Sequence, residues 1–172
     1  METFVRKKIP PPKIAANLWL APKKGDQTPS RAAVVLGSPG VASELNAVGF
    51  DVLEIASGDL ETVQSAVVYL RSNGRLSVSR VALVASGASA TGVASYAGST
   101  RQMNRIVDFV VLIDPAPLKE ESLRSIYGIP VLLAGKQSDK KLEEECPTVC
   151  RTSVYSKPGE RNKSIVEFLL KR

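Results

Sequence analysis

Val78-Ser79-Arg80-Val81-Ala82-Leu83-Val84-Ala85-Ser86-Gly87-Ala88-Ser89-Ala90-Thr91-Gly92 is the stretch that decides the fold of this chain. From Arg80 to Ala85 it is a compact apolar run, short and β-branched enough to be a strand buried on both faces. From Ser86 to Gly92 it turns to small residues, and the pattern then predicts a helix to about Ala97. A buried strand that passes at once into a helix is the unit of a parallel α/β sheet.

The same unit recurs on either side. Upstream, Ala32-Ala33-Val34-Val35-Leu36 is a buried strand ended by Gly37-Ser38-Pro39-Gly40, with a short helix predicted over Val41 to Val48 and a strand over Asp51 to Ile55. Asp59 reads as the N-cap of the most strongly periodic helix, with Leu60, Val63, Val67 and Leu70 on one apolar face. Downstream come Phe109 to Ile113 ending at Asp114-Pro115, a helix around Leu118 to Ile126, a strand over Pro130 to Ala134, a strand over Thr148 to Tyr155 and a closing helix over Ser164 to Leu170. Thr3 to Lys7 and Ile14 to Leu20 read as a leading strand pair split by Pro10-Pro11-Pro12. The expected architecture is α/β: one domain over residues 1–172, a mostly parallel twisted sheet with Val81–Ala85 near its centre, helices on both faces and no cap domain.

Composition narrows the chemistry. The chain has no histidine, and its net charge is +6. Residues 1–25 carry six basic groups (Arg6, Lys7, Lys8, Lys13, Lys23, Lys24) against Glu2, whereas the other 147 residues are almost balanced, with 17 basic and 16 acidic groups. The basicity therefore belongs to an N-terminal edge segment, where Arg6, Lys7 and Lys8 are the expected contacts with other protein subunits. Trp19 is expected in the core of the second strand, or as an anchor for such a partner. Nine scattered aromatics and no phosphate-cradling loop give little support to nucleic-acid binding. Cys146 and Cys150, with no imidazole in the chain, cannot complete a four-ligand zinc site, so no metal or cofactor is expected. Met1 to Lys8 is charged and lacks an apolar core, so the expected location is intracellular and soluble, in cytoplasm or an organelle matrix, without a secretory signal.

The order of these turns resembles the α/β-hydrolase fold, and in particular its small dienelactone-hydrolase-like members. The resemblance rests on Tyr69-Leu70-Arg71 followed by Val78 to Gly92, on Phe109 to Pro117, and on Ile129-Pro130-Val131-Leu132-Leu133-Ala134-Gly135. It implies a serine nucleophile at a small-x-Ser-x-small elbow, an acid after the strand over Val131 to Ala134, and a histidine before the closing helix. In one register the nucleophile position falls on Gly87; in the other it falls on Ser89. The acid position falls near Asp139, and Arg161 stands where the histidine would be. Arg161 cannot be deprotonated to serve as a base. Gly37 and Ser38 match the oxyanion loop, with Leu36 in the place of its histidine. A serine is a weak nucleophile without an adjacent base. The leading expectation is therefore a catalytically degenerate domain, not an enzyme, serving as an accessory subunit of a protein assembly. Two others stand beside it: an active esterase using Ser89, Asp139 and a lysine base such as Lys136 or Lys157, and a small-ligand or nucleic-acid binder.

Overall fold

The computed structural model describes residues 3–9, 14–22, 30–56, 58–73, 76, 78–99, 107–115, 126, 128–135, 150–155 and 157–171. Their eight strands form a single sheet in the order β1-β2-β4-β3-β5-β6-β7-β8. β1 (Thr3–Ile9) and β2 (Ile14–Leu20) are antiparallel to each other, and β2 is antiparallel to β4 (Phe50–Ile55). From β4 onward every pairing is parallel, through β3 (Ser30–Leu36), β5 (Val78–Ser86), β6 (Phe109–Ile113), β7 (Val131–Gly135) and β8 (Cys150–Val154). The predicted strand over Phe109 to Ile113 matches β6 end to end.

Both faces of the parallel strands are covered, which is why their sequences are continuously apolar rather than alternating. On one face Val34, Leu53, Leu83 and Leu112 pack with α2 (Leu60–Ser72) and α3 (Ser89–Ser99). On the other, Val35, Val52, Val84 and Val111 pack with α1 (Pro39–Ala47) and α4 (Pro158–Leu170). Leu83 is fully buried on the central strand, and trimming such a side chain to alanine costs about 2–5 kcal/mol. Phe109 meets Phe168 of α4 edge to face, with ring centroids 6.0 Å apart.

The N-cap of α2 is as expected: the Asp59 carboxylate accepts from the Thr62 N–H at 2.9 Å. The apolar face is Val63, Ala66, Val67 and Leu70, while Leu60 is exposed in the first turn. The far end of α2 is fastened by Arg71, which donates to Asp108 at 2.7 Å and to the Ser79 carbonyl at 3.0 Å. Asp108 also accepts the Val81 N–H at 2.8 Å, so one carboxylate ties α2 to β5 at the edge opposite the strand C-termini. Trp19 is half-buried and donates its indole N–H to Glu54 at 2.7 Å, binding β2 to β4 within the chain.

α4 begins earlier than the sequence pattern indicates. Lys157-Pro158-Gly159 reads as a loop because proline and glycine break helices, yet Pro158 takes the first helical position, where its missing N–H costs nothing. Glu160 at the third position accepts from the Lys157 N–H at 3.4 Å. Arg161 therefore stands in the first turns of a helix and not in a loop. The helix expected over Leu118 to Ile126 lies outside the described residues except for Ile126, which is buried.

Candidate functional site

Three strand ends build the site, all at the C-terminal edge of the sheet, where open α/β sheets hold their ligands. The turn from β5 to α3 pivots on Gly87. Its φ is +59°, a left-handed conformation that favours glycine, and its N–H donates to the Ile113 carbonyl of β6 at 3.0 Å. Among the described residues, a Cβ built on Gly87 would meet nothing within 4 Å. Ser89, the other candidate, is two residues past the apex, half-buried as the first residue of α3. It lies against Gly58 ahead of α2: a Cβ on Gly58 would come within 2.8 Å of the Ser89 Cα and 2.9 Å of its Cβ. Gly92 belongs to the same close approach, since a Cβ there would fall on the Gly58 carbonyl oxygen.

The turn from β3 to α1 is tied to the first. Ser86 donates its hydroxyl to the Gly37 carbonyl at 2.9 Å, and Gly37 has φ +72°. Ser38 is buried at the N-cap of α1, and its carbonyl accepts from Val41 at 3.1 Å and Ala42 at 3.2 Å. β3 and β5 are paired neighbours, so α1 and α3 both start from adjacent strand ends. The positive ends of two helix dipoles thus lie beside the apex, an arrangement that favours a developing oxyanion. Leu36 is fully buried in the sheet.

The third strand end supplies the charge. Asp114 follows Ile113, whose carbonyl holds Gly87, and it is exposed. Its φ of +40° makes it the one non-glycine with positive φ among the described residues, a strained backbone of the kind that gathers at working sites. Asp114 donates its N–H to Ala134 at 2.8 Å, and Tyr155 donates its N–H to Gly135 at 3.1 Å. The two residues therefore bracket the end of β7, and the Tyr155 hydroxyl donates to the Asp114 carboxylate. Burial, and then the bond to Asp114, push the Tyr155 phenol above its ordinary pKa of 10.0, with Arg161 opposing. The Arg161 guanidinium lies over the Tyr155 ring, 5.7 Å from its centroid. Its Nε donates to Asn162 at 2.9 Å, and buried Asn162 donates to Glu44 of α1 at 3.0 Å.

Of the residues expected from sequence, Gly37, Ser38, Gly87 and Arg161 are on this edge, while Ser89 is turned to the α2 side of the elbow. Lys157 is exposed at the N-cap of α4. Asp139, Lys136 and Cys146 lie outside the described residues, and Cys150 opens β8. Arg6, Lys7 and Lys8 lie on β1, the last strand at that edge of the sheet, in register with Asn17, Ala16 and Ala15. Sequence reasoning missed Asp114 and Tyr155 as site residues. The signals were an Asp-Pro step closing a buried strand and a tyrosine closing the last one.

This strand order, with an elbow after β5 and a loop after β3, matches solved structures along almost the whole chain. The ferulic acid complex of Est1E from Butyrivibrio proteoclasticus superposes with a TM-score of 0.74 at 15% identity, covering 96% of this chain and 98% of that one. The chain has the α/β-hydrolase fold. The esterase domain of a Rhodothermus marinus protein matches with a TM-score of 0.70 at 14% identity over 98% and 96% of the two chains. A lipase/esterase from Lactobacillus plantarum matches with a TM-score of 0.70 at 10% identity over 98% and 97%. No protein-family model matches the chain, and no curated protein matches its sequence. These neighbours overturn the expectation of a chain that is not an enzyme: the structures it matches end to end are esterases and a lipase/esterase. The physical reason is that a missing histidine excludes the Ser-His-Asp mechanism alone. It does not exclude hydrolysis by another base. No helix among the described residues is long and apolar enough to cross a membrane.

Proposed function

We propose that the chain is an ester hydrolase of the α/β-hydrolase kind in which water, not serine, attacks the acyl carbon at the Gly87 apex. The observation that carries this reading is the glycine at the Gly87 apex, on the same sheet edge as Asp114 and two helix N-termini, with no described atom within 4 Å of where its side chain would stand. Where the fold ordinarily presents a nucleophilic side chain, this chain has a glycine, and a water molecule takes the place of that side chain in this reading. Asp114 follows Ile113, the β6 partner of Ser86 at the end of β5, and serves as the base. The positive dipole ends at the starts of α1 and α3 favour the oxyanion. The acid and the oxyanion donors come from three rigid strand ends, so their separation is set by the sheet and not by loop motion.

Ester hydrolysis is also what the solved neighbours support, and a lysine-assisted Ser89 is the second reading, on their account alone. Against it, Ser89 packs on Gly58. The experiment is steady-state turnover on a panel of short-chain aryl and alkyl esters. The expected result is hydrolysis above background that saturates with substrate. A purified, folded chain that hydrolyses none of them refutes the proposal.

A further inference from the structure

The Arg161–Tyr155–Asp114 contact joins the ends of β6 and β8 to α4, where the resemblance puts the missing histidine. Tyr155 is buried, its hydroxyl bonded to Asp114 and its ring covered by Arg161. Arg161 is held in turn by Asn162, and Asn162 by Glu44. The described groups that act electrostatically on the phenol are Asp114 from the end of β6 and Arg161 from α4. α4 is also held by Ile165, Phe168 and Leu169, which are buried against the sheet.

We infer that Asp114 and Tyr155 act as a single acid–base unit in place of the missing histidine, with Arg161 as the residue that positions the tyrosine. The inference rests on the hydrolase reading above. In the first step a water oxygen bonds to the acyl carbon and its proton passes to the Asp114 carboxylate. In the second, the bond from acyl carbon to leaving oxygen breaks, and that oxygen takes the Tyr155 proton. The tyrosinate then recovers a proton from the Asp114 carboxyl through the hydrogen bond between them. Both residues return to their starting state, and ester plus water has become acid plus alcohol. Arg161 over the ring stabilises the transient tyrosinate, since a cation nearby favours the ionised form. A phenol kept protonated at neutral pH is a competent donor to an alkoxide, whose conjugate acid is far weaker still.

Leaving-group dependence tests this directly, because p-nitrophenolate departs without a proton and an alkoxide does not. The comparison is kcat/KM for p-nitrophenyl acetate and for methyl acetate in wild type, Tyr155→Phe and Arg161→Gln. The expected result is that Tyr155→Phe loses about a hundredfold more on the methyl ester than on the aryl ester. Arg161→Gln, which leaves the hydroxyl in place, loses less but with the same bias. A merely structural tyrosine would lower both substrates by the same factor, and that outcome, or no loss on either, overturns the assignment. Wild type inactive on both esters overturns the hydrolase reading itself, a separable failure.

Discussion

Gly87→Ala is the perturbation that separates an open apex from a packed one. At φ +59° an alanine sits in the left-handed region, at a cost of about 1–2 kcal/mol. No described neighbour lies within 4 Å of the new methyl, so none of them adds a steric term. Fewer unfolded conformations return about 0.4–1 kcal/mol. The net loss is then about 1 kcal/mol, which for a chain of this size lowers Tm by roughly 2–4 °C. Gly92→Ala is the contrast: its methyl would fall on the Gly58 carbonyl oxygen, so the backbone must move, and the loss expected is at least twice as large. Urea unfolding followed by circular dichroism measures both. In activity the order reverses. A methyl at the apex displaces the attacking water, and displacement by about 1 Å is enough for a loss of roughly a hundredfold. Gly87→Ala that unfolds as readily as Gly92→Ala, or that folds and keeps full turnover, would refute the reasoning.

Three further outcomes are expected. Asp108→Ala strands the Val81 N–H and releases Arg71, so it should cost about 2 kcal/mol in urea unfolding without changing kcat; a loss under 0.5 kcal/mol counts against the clamp. Tyr96 and Tyr155 both have pKa values raised above 10.0, first by burial, so the native state keeps protons that the unfolded state loses. Stability is then intact below pH 10 and falls as pH rises through the folded values, and Tyr155→Phe should reduce that fall; an unchanged slope would contradict it. We also propose that the basic β1 edge meets an acidic protein surface, in which case neutralising Arg6, Lys7 and Lys8 together weakens the assembly most at low salt, while a lone monomer in native extract at low salt contradicts it.

The sheet was legible because burial on both faces leaves a plain mark: Ala32 to Leu36, Val81 to Ala85 and Phe109 to Ile113 are apolar at every position. The turns at Gly37 and Gly87 were legible too, since a left-handed backbone calls for glycine. The acid–base pair was not. Asp114 and Tyr155 are 41 residues apart and meet only because β6 and β8 flank β7, a fact of strand order that no local spacing encodes. Arg161 was assigned to a loop and stands in a helix, because Pro158-Gly159 reads as a break where it begins a helix. The absent histidine misled the functional reading most, by making one mechanism stand for the whole reaction.

The most direct test of water attack beside Asp114 is kcat/KM for p-nitrophenyl acetate in two variants measured side by side, Asp114→Asn and Ser89→Ala. The account predicts a loss of roughly a hundredfold for Asp114→Asn and a change within about threefold for Ser89→Ala. Activity abolished by Ser89→Ala and retained by Asp114→Asn would contradict it and place the chemistry on the serine.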